Sequence, residues 1–167
     1  LVAVENASRG GRLRYGAWAT SSTVGGKEAG MYERAAVAVH ALFVLNRSET
    51  VYYRARVDDS GRPLSARCDY ELRGAPPDAR WWSITAYGGD DFLIPNDERR
   101  YSFNMANVKK DPDGRFVIRA SARRQQGNWL PLGEGGGKVS FTLRLYNPAP
   151  RIAADPGMAS LPSIVGR

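Results

Sequence analysis

The sequence has little of what most catalytic and metal-binding constellations need. It holds one cysteine and one histidine in 167 residues. A lone cysteine excludes an internal disulfide and carries no signal of redox compartment. In an alternating stretch, Cys68 is expected to be a small buried hydrophobe. A lone histidine excludes a histidine-based metal cluster, and no motif implies a cofactor. Lysine is scarce too: the 24 basic residues include only four lysines and face 17 acidic ones. Such an arginine surplus could serve an anionic partner such as nucleic acid, an acidic glycan or lipid headgroups. Yet no window holds five consecutive basic residues and no aromatic–basic ribonucleoprotein motif occurs. The arginines therefore read as spread over solvated faces, and nucleic acid is disfavoured. No apolar run reaches the roughly 18 residues of a membrane span. The chain opens at Leu1 with a polar, glycine-rich lead, the pattern expected when a preceding segment is missing.

What is present points to β structure. Apolar residues make up 43% and charged residues 25%, ordinary for a globular chain. Eighteen glycines and ten prolines imply many turns. The length suits one domain, with residues 1–29 as an extended lead-in over its surface, held by Trp18, and residues 30–167 as the domain proper. One α-helix is expected at about 30–45. There Met31, Ala35, Ala38, Leu42 and Leu45 recur at three- and four-residue steps and form a face to dock on a sheet. His40 falls on that helix. As a base it would need a nucleophile, and no nucleophile-elbow pattern occurs, so it is read as structural.

The chain is organised around residues 80–96, RWWSITAYGGDDFLIPN. Alternation puts Trp82, Ile84 and Ala86 on one face and Trp81, Ser83, Thr85 and Tyr87 on the other. The second face carries more aromatic area than solvent needs, so another layer covers it or a ligand lies on it. Residues 50–57 and 66–72 also alternate. Paired as a hairpin, they would set Arg54 opposite Asp69 and Tyr52 opposite Glu71 on an exposed face. Strands follow at 101–105, 116–121 and 139–146, with a short apolar piece at 128–132. Val139, Phe141, Leu143 and Leu145 are assigned to the core. The proline-rich tail reads as an irregular strap. Short turns between strands predict a mainly β, antiparallel two-sheet sandwich, jelly-roll-like, carrying the one N-terminal helix.

Several chemical motifs fail on inspection. GEGGGKVS at 133–140 has the wrong glycine spacing for a phosphate loop and precedes a strand. Asp58-Asp59 and Asp90-Asp91 sit beside glycine and lack a third ligand at calcium-loop spacing, so they read as turn formers. Asp69 and Glu71 could be an acid/base pair about 6–7 Å apart, as on any strand with carboxylates at i and i+2. What remains is an aromatic, amide and arginine set: Trp81, Tyr87, Asn96, Tyr101, Asn128, Trp129, Arg144 and Tyr146. Such residues suit a sugar ring or a small aromatic ligand. The plainer alternative is that Trp82, Trp129, Phe92 and Tyr101 plug the ends of the fold while Asn96 and Asn128 tie down turns.

In the order RCDYELRG, WWSITAYGGDDFLIPN, RYSF, NWLPL, FTLRLYNP, the chain from about Tyr32 to Pro148 resembles the bacterial domain-of-unknown-function 1214 family (DUF1214). The matching residues are Trp82, Tyr87, Phe92, Pro95, Asn96, Tyr101, Asn128, Trp129, Pro131, Arg144 and Tyr146. Gly89 and the arginine-rich strands depart from the family pattern. The resemblance implies a β-sandwich and no established activity. It also implies either the C-terminal half of a larger protein, behind a domain-of-unknown-function 1254 module, or a short protein behind one membrane segment. This chain looks like the short kind with its anchor missing. The expectation is thus an envelope domain, on the periplasmic side of the inner membrane, binding a small molecule or glycan without catalysis. One rival is an enzyme acting on a saccharide or phosphoester through Asp69, Glu71 or Arg144. The other is a structural interaction domain, and oligomeric state is left open.

Overall fold

The computed structural model describes residues 12–21 and 45–167. Ten strands among them form two sheets. The first holds β1 (Arg12–Tyr15), β2 (Trp18–Ser21), β3 (Thr50–Ala55), β5 (Ala79–Gly88), β6 (Ser102–Asn104) and β9 (Val139–Pro148), in the order β1-β2-β3-β9-β5-β6. The second holds β4 (Tyr70–Gly74), β7 (Phe116–Ser121), β8 (Asn128–Pro131) and β10 (Ser163–Gly166), in the order β10-β4-β7-β8. A short helix, α1 (Pro150–Ala154), and a 3-10 turn at Pro156–Met158 join β9 to β10.

Period-two alternation builds the core. Phe141, Leu143 and Leu145 of β9 are fully buried, and so are Tyr53 and Ala55 of β3 and Ile84 of β5. Slipping β9 by one residue would turn its apolar set outward, at roughly 1.5–3 kcal/mol per large side chain. Aromatic contacts bridge the sheets. Trp82 of β5 stacks on Phe116 of β7 with ring centroids 5.1 Å apart, and Tyr70 of β4 meets Phe141 of β9 edge-on at 6.3 Å. All pairings are antiparallel except β7 with β8, which run parallel. The four-stranded sheet is therefore mixed, while the described pairings of the six-stranded sheet are all antiparallel.

Several expectations need correction. β3 and β4 do not form a hairpin: β3 pairs with β2 and β9, while β4 pairs with β10 and β7. Alternation reveals which face a residue takes, not which strand lies beside it. The second of these strands starts at Tyr70, so Cys68 precedes it and is exposed, not buried. The lead-in contributes the β1–β2 hairpin to the larger sheet, with Trp18 1% exposed and its Nε1 donating to Pro162 O at 2.7 Å. The tail adds the regular edge strand β10. Phe92 does not plug an end; it is 73% exposed. The helix expected at about 30–45, with His40, lies outside the described residues except for Leu45, which is non-helical.

Candidate functional site

The eight sequence-selected residues fall into two separate groups. Trp81, Tyr87, Arg144 and Tyr146 share the outward face of the six-stranded sheet, where register sets Trp81 beside Tyr146, Ser83 beside Arg144 and Tyr87 beside Ser140. The Arg144 guanidinium donates to Tyr87 OH at 2.7 Å and to Thr85 Oγ1 at 3.2 Å, and lies 5.6 Å from the Tyr87 ring centroid. Next to it, Arg54 donates to Ser140 Oγ at 3.0 Å and pairs with Asp91, which Arg56 also approaches at 3.8 Å. Burial pushes the Tyr52 hydroxyl pKa up, with Tyr146 adding to the effect and Thr50, Arg144 and Leu45 opposing it. Ser140, Thr142 and Thr85 are buried. Arg54 and Arg144 thus have intramolecular partners on this face, while Arg54 Nε is buried without a hydrogen-bond partner among the described residues.

The second group, Asn96, Tyr101, Asn128 and Trp129, gathers where β6, an edge of one sheet, adjoins β8, an edge of the other. The two asparagines tie down backbone. Asn96 Nδ2 donates to Ile94 O at 3.0 Å and Arg100 O at 3.1 Å, while its Oδ1 accepts from Arg100 N at 3.0 Å. These bonds close the 96–100 loop, in which Arg99 takes a left-handed φ of 48°. A non-glycine residue holds that conformation only where its surroundings dictate it. Asn128 Oδ1 accepts from Lys109 N, and its Nδ2 donates to Lys109 O, both at 2.8 Å, and to Val117 O at 2.9 Å. The asparagines fix the backbone of Arg100 and Lys109.

Those fixed cations line two adjoining cavities. One, of about 250 Å³, is lined by Arg99, Arg100, Tyr101 and Ser102. The other, of about 170 Å³, is lined by Phe103, Lys109, Arg124, Gln125, Asn128 and Trp129, and both cavities share Glu98, Arg100 and Asn107. Trp129 Nε1 donates to Ser121 O at 3.2 Å and Oγ at 3.1 Å, which locks its ring. Arg124 lies over that ring, 5.9 Å from its centroid, and bonds Glu98 at 2.6 Å. Arg100 lies 4.9 Å from the Phe103 centroid. Sequence reasoning passed over Arg100, Asn107, Lys109 and Arg124, which lie between the strands it assigned. The available signal was their position: loops next to rigid strands carry function more often than their composition suggests.

Among the described residues the acid/base alternative gathers its three groups at no common place. Glu71 lies on β4, Arg144 on β9 of the other sheet, and Asp69 is exposed ahead of β4. Glu71 is 2% exposed beneath three arginines. Arg73 bonds its Oε2 through Nε at 2.7 Å and through Nη2. Its Oε1 lies 2.7 Å from Arg167 Nη2 and 3.3 Å from Arg119 Nε, contacts that are ionic rather than aligned hydrogen bonds. Burial alone would raise the Glu71 pKa. The Arg73 hydrogen bond and the three guanidinium charges outweigh it and hold the carboxyl below its usual range, the wrong direction for a general acid. Asp58 is a turn former: its Oδ1 accepts from the Ser60 and Arg62 amides. Asp90 likewise caps Phe92 N. Among the described residues no three metal-ligating side chains cluster, and no helix is long and apolar enough to cross a membrane.

Comparisons with known proteins agree with the fold and assign no chemistry. No curated protein matches the chain. The crystal structure of the VPA0106 protein from Vibrio parahaemolyticus superposes with a TM-score of 0.66 at 27% identity, covering 80% of this chain and 34% of that one. An uncharacterized protein from Burkholderia cenocepacia gives a TM-score of 0.48 at 17% identity, covering 80% of this chain and 38% of that one. The chain thus spans little more than a third of either relative. The model of the family described as Protein of unknown function (DUF1214) matches residues 49–150, more than half of the chain, and the chain belongs to that family.

Proposed function

We propose that this domain is a non-catalytic binding module that holds a small ring-bearing molecule or one residue of a glycan against Trp129. The observation that carries the reading is one cavity that holds an indole locked by Ser121, the guanidinium of Arg124 over its ring, and Asn107 and Gln125 in its lining. An aromatic plane offers the apolar face of a ring a platform, and amides and guanidinium supply directional bonds to its substituents. At about 170 Å³ the cavity is smaller than the roughly 300–1,000 Å³ of a drug-sized site, which suits a single ring. In this reading the two sheets form a jelly-roll-like sandwich whose β6–β8 end is the recognition end. The parent protein sits in the bacterial envelope, held on the periplasmic side of the inner membrane by an N-terminal segment, as the family resemblance implies.

The test is a titration of N-acetylglucosamine, galacturonate and maltose against tryptophan fluorescence, on the wild type and on Trp129→Phe. Trp18 and Trp82 are buried and Trp81, 38% exposed, lies on β5 of the other sheet, so a ligand-dependent change lost in the Phe variant reports the cavity. Silence with all three sugars, or a response that survives the substitution, overturns the reading. A structural interaction domain is the second reading, favoured by Phe92 and Leu93, adjacent and 73% and 45% exposed. It requires a concentration-dependent mass in light scattering that Phe92→Ser abolishes.

A further inference from the structure

We propose that the outward face of the four-stranded sheet binds a linear polyanionic glycan, which runs from the Trp129 cavity across β8, β7, β4 and β10 to Arg167. The proposal rests on the ring-binding reading of that cavity and deepens it by naming the ligand class. Register makes the strip continuous. Trp129 of β8 lies beside Arg119 of β7, Arg119 beside Glu71 of β4, and Glu71 beside Val165 of β10. Partners in register share a face, so these side chains form one row. Arg73 joins the row through Glu71. Arg167, whose amide donates to Asp69 O, prolongs β10 along β4. Three strand spacings of about 4.8 Å give the row a length of roughly 15 Å.

The charge is arranged to face outward. Arg73, Arg119, Arg167 and Arg124 have side chains 52%, 37%, 59% and 76% exposed, while the carboxylate they surround, Glu71, is 2% exposed. With Arg100 and Lys109 at the cavity, six cations outnumber the carboxylates Glu71 and Glu98 and the exposed Asp69 beside Arg167. Glu71 also holds three guanidiniums in place before any ligand arrives, so less side-chain freedom is lost on binding. Arginine forks match planar carboxylates and tetrahedral sulfates or phosphates in paired hydrogen bonds. A single-stranded nucleic acid would want successive aromatic platforms. This strip offers one, Trp129, at its end, which suits the terminal ring of a charged polysaccharide.

The experiment uses fluorescein-labelled galacturonate oligomers from one to eight units, with neutral dextran oligomers and oligo(dT) of equal length, in anisotropy titrations at 50 and 200 mM NaCl. The galacturonate octamer should bind at least about tenfold more tightly than the monomer, because linked contacts add without a second association cost. Its affinity should fall at the higher salt. Arg73→Ser and Arg167→Ser, both at exposed side chains, should each weaken the octamer several-fold and leave the monomer unchanged. An octamer no tighter than the monomer, equal binding of dextran, or oligo(dT) bound more tightly than the glycan overturns the proposal. Loss of monomer binding in Trp129→Ala alone supports the cavity reading whatever the strip does. If the octamer binding depends on the arginines but not on Trp129, the strip stands and the ring cavity falls.

Discussion

Replacing Glu71 with glutamine tests whether a buried carboxylate organises this half of the molecule. At 2% exposure Glu71 has exchanged its hydration for Arg73, Arg119 and Arg167. Gross attraction at these separations is several kcal/mol per pair at an effective dielectric of about 20. The arginines keep 52%, 37% and 59% of their side-chain surface in water, which screens much of that and offsets the rest against desolvation. Hydrogen bonds to charged groups contribute about 1.5–3 kcal/mol net, and the glutamine variant should lose about that much stability at pH 7. The pH dependence is sharper than the magnitude. The Glu71 pKa is lowered in the folded state relative to an unfolded value of about 4.3. Its contribution is therefore fully present above that value and is lost as pH falls through the folded pKa. Asp58, held low first by the Ser60 hydroxyl, titrates alike in both proteins and cancels. Urea unfolding followed by tryptophan fluorescence at pH 7, 5, 4 and 3 should show a gap between wild type and variant that is constant down to about pH 5 and then closes. A gap that persists undiminished at pH 3, or a variant as stable as wild type at pH 7, would refute the reasoning.

Three further outcomes follow from the packing. Trp82→Ala removes the ring stacked 5.1 Å from Phe116 between the sheets and should cost about 3–5 kcal/mol in urea unfolding, with loss below 1 kcal/mol counting against the shared core. Gly74→Ala places a methyl 3.0 Å from Pro162 Cβ and 3.1 Å from its Cα, which should cost about 1–3 kcal/mol, whereas an unchanged melting temperature would show that the β4–β10 edge yields. Cys68 is exposed, so a thiol reagent should modify it completely in the native protein; a requirement for denaturant would contradict its placement.

Much of the fold could be read from side-chain alternation, and its limits are physical. Val51, Tyr53 and Ala55, then Trp82, Ile84 and Ala86, then the apolar set of β9 are buried as their period of two demands. Alternation is a local property, however, and β3 and β4 belong to different sheets although they are sequence neighbours. A turn-rich loop between two strands looks alike whether it closes a hairpin or crosses between layers. Four-residue strands such as β1, β2 and β10 carry too few alternations to stand out from a loop. Trp18 was the one large apolar side chain in its stretch, and its burial marks where that strand joins the sheet. At the candidate site, Trp129 and Tyr101 were visible because aromatics beside polar residues are unusual. Asn96 and Asn128 proved to hold loops, as asparagine's ability to mimic backbone allows. The cations they position were hidden because arginine is everywhere in this chain, and only tertiary placement distinguishes one arginine from another.

The central position of β9 governs how the molecule can be made. Its ten residues pair with β3 on one side and β5 on the other, so during translation the larger sheet exists as two detached fragments until Pro148 clears the ribosomal exit tunnel. Pairings this distant along the chain are slow to form, and each waiting fragment shows an unfilled edge. A nascent chain of this protein therefore passes through a window in which chaperones or neighbouring polysomes compete for the slot that β9 will occupy.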